Sequence, residues 1–533
     1  MTKNINQQRD YNVNQMSLLL EIPFSEKQIV KNDICFTVLN IVERIDLGKY
    51  IEFSKGRPTS YDIERMFTAI LLAFTEHGYA ELRKVETLMK YDLRYRWIMQ
   101  QKTPSYRTIG RFINDYLKMP IEQIHHDILL AIQDRKEFEK AILYIDGTKF
   151  EANANKMTFF WKGWIKKYLP HNWKKVMELI RQLNKYFKEN DIDIKYSTLK
   201  EPSIDYMIEL DERLNHQWLN EIKAVKKGRG LHPVVKIKRE LNKCAKKIWE
   251  YALAQDILGD RNSFSKTDPD ATLMHMKYDY YNHTNVFKPG YNVQIGVVDG
   301  YIALYYVSSD ANDMKTYIPL LEGYKDRFCT YPVRTVADAG YGSLDNYNYS
   351  RMHGIHAALK YSGYESKKEK VTDKNRFRLI HMKRTEDGTP VCPEGHEFTL
   401  EDVKVAITGN GTKITNHYRN KHCENCPMRS RCTKSKEGRT AMITPALEHY
   451  HSEVDEYFST EEGKRDLNIR SSQTEGKFGD IKKNFKFNIM KRRGEDSVRL
   501  EIGLVAIGHN IRHYHNEIMK NHQKTGELFT IQH

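Results

Sequence analysis

The sequence contains no apolar run approaching the roughly 18 residues that a membrane-spanning helix needs, so no such helix is expected. Cysteine is scarce, seven in 533 residues, too few for a disulfide scaffold. The N-terminus, MTKNINQQRDYNVNQMSLLLEIP, holds only a very short apolar run and lacks a signal-peptide layout. Acidic residues are in deficit: 85 Lys and Arg stand against 70 Asp and Glu, a net charge of +15 with a pI near 9.1. Such an excess favours a polyanionic partner, either nucleic acid or an anionic membrane surface. Together these features point to a cytoplasmic protein that meets nucleic acid.

What is present supports real cores. Hydrophobic residues make up 40% and aromatics 11%, which excludes global disorder, and the length suits two to four domains. The first ~120 residues have apolar residues at three- and four-residue spacing, with turn signals at Gly78 and Pro104. Ser105 is placed to N-cap a short helix carrying Arg107 and Arg111, an arrangement that suits helix-turn-helix contact with DNA or one face of a small bundle. KAILYIDG reads as a buried strand ending on Asp146-Gly147. A lysine- and tryptophan-rich helical region follows to about Asp268. Its stripes, Ile204, Ile208, Leu214, Trp218, Ile222 and Ile237, Leu241, Cys244, Ile248, Ala252, suit a helical hairpin. YNVQIGVVDGYIALYYVSS reads as a hairpin about Asp299-Gly300. DMKTYIPLLEGYKDR then reads as helix, VRTVADAGYGS as a strand ending on Asp338, and IHAALKYS as another strand. Two helices, roughly Ser471–Phe485 and Glu495–His515, close the chain. Without its inserts this order is an α/β domain with a mixed sheet.

Two strands thus end on aspartates, at the sheet edge where open α/β sheets build their sites. Asp-Gly is also plain turn chemistry, which accounts for Asp299; Asp310 and Asp313 are rivals to Asp338. In IRSSQTEGKFGDIKKNF, α-helical spacing puts Phe478, Ile481 and Phe485 on one inward face. Glu475 borders that stripe with Lys482 below it, while Asp480, Lys477 and Lys483 fall on the solvated side. Gly476 and Gly479 each cost a helix roughly 1 kcal/mol relative to alanine, which suggests a close approach of backbone or substrate there. Three acids in one cleft repel unless a cation intervenes, and hard oxygen ligands suit two Mg²⁺ or Mn²⁺ ions for phosphodiester displacement.

YIDGTKFEANANK, DPDATLMHMK, KPGYNVQIGVVDG, TVADAGYGS and RSSQTEGKFGDIKKNF together resemble bacterial insertion-sequence transposases with a DDE domain. GRPTSYDIERMFTAILLAF, LRYRWI and PSYRTIGRF look like the helical domain that precedes it in many of them. The resemblance implies a ribonuclease-H-like catalytic fold, with Asp146 and Asp338 on its first and fourth strands and Glu475 on a later helix as the catalytic, metal-ligating trio. It also implies that Lys482 contacts a phosphate near the scissile bond. Asn468 stands where related groups have a tyrosine, and Arg470 is displaced by one residue from the expected arginine. The reaction implied is metal-dependent cleavage of double-stranded DNA at terminal inverted repeats, then joining to target DNA, by a homodimer or larger synaptic complex. A DNA-binding regulator without activity and a nuclease without joining are the alternatives. Lys482, Arg470, Lys483, Arg107 and Arg111 are the candidate DNA contacts.

Cys392, Cys423, Cys426 and Cys432 have the spacing of a structural Zn²⁺ site, with His396 and His422 as substitutes, or are simply reduced thiols. The organisation expected is a DNA-binding helical domain over 1–135, a catalytic core over 136–150 and 269–362, a helical insert over 151–268, a cysteine-rich insert over 363–445 and core-completing helices over 446–533. The charge excess sets a first measurable expectation. DNA affinity should fall steeply with salt, each neutralised phosphate adding about −0.9 to the log–log slope; a filter-binding series that stays flat from 50 to 300 mM salt, on the order of five- to sixfold, would refute it.

Overall fold

The computed structural model of the chain describes residues 29–50, 61–133, 136–139, 141–199, 203–224, 232–276 and 283–525. The N-terminal stretch 1–28, the start of the GRPTSYD motif (51–60) and the side chains of Trp218 and Ile222 lie outside them. The chain divides into two compact units, Met1–Phe150 with Asn292–His533, and Glu151–Tyr291.

The first unit begins with helices α1 (Ile34–Glu43), α2 (Ile63–His77), α3 (Leu82–Tyr91), α4 (Leu93–Ile98), α5 (Tyr106–Phe112) and α6 (Ile121–Ile132). Side chains cap them as local chemistry dictates: Asp33, Asp62 and Asp92 accept from the first-turn N–H groups of α1, α2 and α4. Ser105, the expected cap of α5, accepts from Thr108 N at 3.3 Å. Helix α2 stops at Gly78, whose φ of +68° few other residues adopt. Strand β1 (Ile142–Glu151) follows.

The second unit holds β2 (Phe159–Trp161), α7 (Lys162–Glu189), α8 (Ile204–Ala224), α9 (Pro233–Leu258), β3 (Ser263–Ser265) and β4 (Thr272–His275). Val176, Ile180, Leu183 and Phe187 of α7 close a core with Leu210 and Leu214 of α8 and Leu241, Cys244 and Ile248 of α9. The α9 stripe is therefore core as its spacing suggests. In α8 the phase differs: Ile208 is 42% exposed while Met207 and Leu210 are buried.

Strand β5 (Phe287–Val298) leads back into the first unit and turns into β6 (Tyr301–Ser308) through Asp299-Gly300, with φ of +47° and +84°. Positive φ at both turn residues is the geometry that matches strand twist. Helix α10 (Tyr317–Phe328), β7 (Arg334–Ala337), α11 (Leu344–Met352) and β8 (His356–Leu359) come next. The sheet runs β6-β5-β1-β7-β8, with β4 also on β5. β5 and β6 are antiparallel, while β1, β7 and β8 are mutually parallel. This is the mixed sheet of a ribonuclease-H-like domain.

The cysteine-bearing region contains an antiparallel sheet, β9 (Thr399–Thr408), β10 (Gly411–Arg419) and β11 (Thr440–Ile443), which the hydropathy pattern did not announce. Helices α12 (Pro445–Ser459), α13 (Glu461–Arg470) and α14 (Glu495–Thr525) end the chain. Helix α14 is apolar around much of its circumference, as expected of a buried helix, with Val498, Leu500, Ile502, Leu504, Val505, Ile507 and Ile511 all buried. It packs against α2, α6 and β6. Asn510 mimics a neighbouring strand: its Oδ1 accepts from Ile302 N and its Nδ2 donates to Ile302 O, both at 2.9 Å. No described helix is long and apolar enough to cross a membrane.

Gly508 of α14 lets that helix touch α2 backbone to backbone; a Cβ there would lie 2.7 Å from the Phe74 carbonyl carbon and 2.9 Å from Thr75 N. Gly508→Ala should force the helices apart at a cost of about 1–3 kcal/mol, read as a lower melting temperature; an unchanged melt would disprove the close approach.

Candidate active site

The geometry of the site begins with strand register. β1 and β7 are parallel, with Ile142 opposite Arg334 and Tyr144 opposite Val336. The offset is constant (334 − 142 = 192) up to Tyr144 and Val336; Asp146 and Asp338 lie two residues beyond that last pair (146 + 192 = 338), and their carboxyls interact electrostatically. Neighbouring strands lie about 4.8 Å apart and opposed residues share a face, so the pairing gathers two carboxylates from positions 192 apart in sequence. Each is anchored by a backbone N–H: Asp146 Oδ1 accepts from Gly147 N and Asp338 Oδ1 from Gly340 N, both at 2.9 Å.

Both carboxyls titrate above their ordinary range. Burial raises Asp146 to about 6, with Asp338 and Glu475 adding to the rise and Arg470 and the Gly147 N–H opposing it. Burial also raises Asp338, and Asp313 adds to it, while the Gly340 N–H, Arg470 and Lys360 pull the other way. Negative charge here exceeds what the chain itself neutralises.

Glu475 reaches the site by a local irregularity. The segment after α13 is π-helical over Ser471–Glu475, α-helical over Gly476–Gly479 and π-helical again over Asp480–Asn484. A π-turn closes i to i+5, so Arg470 and Glu475, five apart, become neighbours. Arg470, buried with its side chain 9% exposed, sets Nη2 3.5 Å from Glu475 Oε1 and Nη1 3.9 Å from Asp146 Oδ1. One guanidinium thus spans two of the three candidate acids. The extra residue of the π-turn also answers the one-residue displacement of Arg470 noted in the sequence. Glu475 itself is 59% exposed.

The two π-turns overturn the solvated-side assignment made at uniform α pitch. Phe478 and Ile481 are buried as expected, but so is Lys477, whose ammonium burial lowers to about 8. Asp480 is structural: the His509 ring, with Nδ1 3.4 Å away, the hydrogen bond from Asn484 and the charge of Arg512, with Nη1 3.3 Å away, hold its carboxyl at about 2. A Cβ at Gly476 or Gly479 would meet nothing within 4 Å among the described residues, so no described part of the chain requires those glycines. Lys483 is exposed. Lys482 is half-buried and clamps the helix to β1, donating to Thr148 Oγ1 at 2.6 Å and Lys149 O at 2.7 Å and lying over the Phe150 ring.

Behind the acids runs a buried polar chain that the sequence reading passed over. Tyr341 donates to Gln294 Oε1; Gln294 Nε2 donates to Asn292 Oδ1 at 3.0 Å and to Asp313 Oδ1 at 3.2 Å. The signal was available, since Asn292 and Gln294 stand two apart in the otherwise apolar run of β5 and so share a face. Gly147 makes room for it, because any Cβ there would overlap the Gln294 carboxamide. Asp310, the other rival, pairs with Lys315 at 3.5 Å.

Arg107 and Arg111 project from α5 into solvent, Arg107 close over the Tyr106 ring. The four cysteines are free thiols that line one cavity of about 20 Å³ with His396 and His422. Cys392 Sγ accepts from His396 N and Cys423 Sγ from Arg439 N, both at 3.4 Å.

Among the described residues no three His, Cys, Asp or Glu side chains are grouped tightly enough, as placed, to hold a metal ion. The donor chemistry nevertheless fits hard divalent cations at the aspartates, where two register-paired carboxylates with raised proton affinity face each other. It fits a softer ion at the cysteine cavity.

A ribonuclease-H-like sheet with carboxylates on adjacent parallel strands defines the class. A family model, Transposase DDE domain, matches residues 391–515, and another, Transposase domain (DUF772), matches residues 24–115. The two matches indicate an insertion-sequence DDE transposase. The first match spans the four cysteines, Arg470, Glu475 and Lys482, and the second spans Arg107 and Arg111. Asp146 and Asp338 lie outside both, so their assignment rests on the sheet. No curated protein matches the chain. The DDE domain makes this an enzyme family acting on DNA with divalent metal.

The raised carboxyl of Asp146 has a thermodynamic consequence. Its folded value, about 6, exceeds its ordinary 3.8, so the folded state loses stability as pH rises through that interval. Asp146→Asn should therefore stabilise the metal-free protein at pH 8 by roughly 1–3 kcal/mol, at about 1.4 kcal/mol per pKa unit. The gain should vanish near pH 3.5. Thermal melts across that range decide it; equal melting at pH 8 would mean that Arg470 already offsets the charge.

Proposed function

We propose that the protein is an active transposase that cleaves and joins DNA at the terminal inverted repeats of an insertion sequence. The observation that supports this reading is the buried, electrostatically coupled pair Asp146 and Asp338, just beyond the parallel β1–β7 pairing and beside the Arg470–Glu475 contact. Asp146, Asp338 and Glu475 would hold two Mg²⁺ or Mn²⁺ ions, which supply activation of the attacking oxygen and charge stabilisation of the leaving one.

The chain's own residues do the rest. Gly147 N and Gly340 N fix the two aspartates, so their oxygens face the cleft without a reorganisation cost at each turnover. Arg470 carries Glu475 toward Asp146. Lys482 pins the acid-bearing helix to β1 just beyond Asp146. It acts here as a positioning residue, and a phosphate contact would follow from its place beside the cleft. Exposed Lys483, Arg107 and Arg111 contribute phosphate contacts along double-stranded DNA. Water serves as the nucleophile for cleavage, and the freed 3′-hydroxyl then attacks target DNA.

The cysteine module holds a structural Zn²⁺ through Cys392, Cys423, Cys426 and Cys432 after small side-chain rotations into their shared cavity. In this reading the N-terminal helices over 1–135 bind DNA, two copies pair the two ends, and the protein works in the bacterial cytoplasm at the nucleoid.

Labelled duplexes carrying the flanking repeats, with and without Mg²⁺, test the reading. Wild type should give cleaved and joined products only with metal, and Glu475→Gln should bind without cutting. Binding without products from wild type would identify a regulator, and nicks without joining a nuclease. Elemental analysis of purified protein should find about one zinc per chain, lost in Cys423→Ser/Cys426→Ser.

A further inference from the structure

Asp313 was a rival for the second catalytic position; its place in the fold gives it a different part. It opens the 3₁₀ turn Asp313–Lys315 before α10. Its carboxylate does not cap that turn, because Asn312 does so by accepting from Met314 N at 3.1 Å. Instead the side chain points back to the sheet. Oδ1 accepts from Asn292 Nδ2 at 2.6 Å and from Gln294 Nε2 at 3.2 Å. Oδ2 lies against Gly340, as does Asp338 Oδ1, which accepts from Gly340 N at 2.9 Å. A Cβ built on Gly340 would lie 3.1 Å from the first oxygen and 3.0 Å from the second. The absence of a side chain at Gly340 therefore leaves a gap bounded by two carboxylate oxygens.

A neutral residue would satisfy Asn292 and Gln294 equally well, since a carboxamide oxygen accepts the same two hydrogen bonds. A third carboxylate beside Asp338 and Asp146 only adds repulsion in a buried site. The partners of Asp313 Oδ1 are neutral amides, so they orient it without discharging it. Oriented but undischarged carboxylates around a small gap are what a hard cation requires. We propose that Asp313 is a fourth carboxylate of this centre and takes a divalent cation together with Asp338, with Asn292, Gln294 and Tyr341 as its positioning residues. The inference rests on the metal-dependent reading above and extends its ligand set.

Mn²⁺ binding to the full-length protein, followed by the electron paramagnetic resonance of the free ion, supplies one readout. Asp313→Asn keeps the volume and the two accepted hydrogen bonds, and should weaken Mn²⁺ binding about tenfold or more, as Asp338→Asn does, while its melting curve stays cooperative. A second readout needs no variant. Fe²⁺ with ascorbate cuts backbone beside the bound ion, and wild type should show breaks within 312–316 as well as beside Asp146 and Asp338. Wild-type affinity in Asp313→Asn, or breaks at Asp146 and Asp338 without one in 312–316, overturns Asp313 as a ligand and leaves the transposase reading intact. If wild type neither binds Mn²⁺ nor shows Fe²⁺ breaks, this inference and the metal reading fall together.

Discussion

Everything proposed for this molecule depends on the parallel pairing of β1 with β7. Register in a sheet is discrete, and a slip of one residue turns a side chain to the opposite face. Held at an offset of 192, the pairing brings Asp146 and Asp338 onto one face. The rest of the first unit secures that register. Parallel strands cannot be joined by a tight turn; here the crossover contains the whole second unit, the β5–β6 hairpin and α10. Helix α14 packs on β6, buried over residues 500–511 and tied to that strand through Asn510.

The site so formed is costly to keep. Burial raises both aspartates, and within the chain Arg470 is the guanidinium that reaches Asp146 and Glu475 together. Natural proteins concentrate such unfavourable electrostatics where chemistry demands it. The same unit shows the opposite arrangement a few residues away. Asp480 is held well below the ordinary carboxylate range by His509, Asn484 and Arg512, and there the charge fastens one helix to another. Two acids five residues apart on one irregular helix thus differ in both neighbours and exposure, Glu475 at 59% and Asp480 at 28%.

Much of this was legible in the sequence. The strand leading to Asp338 stood out as a short apolar run, whereas β1 does not end on Asp146 as expected but continues to Glu151; Asp299-Gly300 marked its hairpin, and the motif about Glu475 carried the resemblance that the family matches support. What could not be read has definite causes. A uniform helical pitch was assumed over 471–485, so Lys477 and Asp480 were placed on the wrong side. The β9–β11 sheet has few buried residues on β9, which removes the alternation by which strands announce themselves. Asn292 and Gln294 were hidden because a polar residue in an apolar strand matters only through its partner, and the partner lies in another segment.

The π-turn at Ser471–Glu475 bears on how such motifs are recognised at all. An arginine one position early looks like a damaged signature when letters are counted. In three dimensions the π-turn closes a ring one residue wider and sets Arg470 beside Glu475 at a spacing of five. Signature spacing is therefore a record of local helical winding, and two chains with different spellings can present the same hand of side chains to DNA.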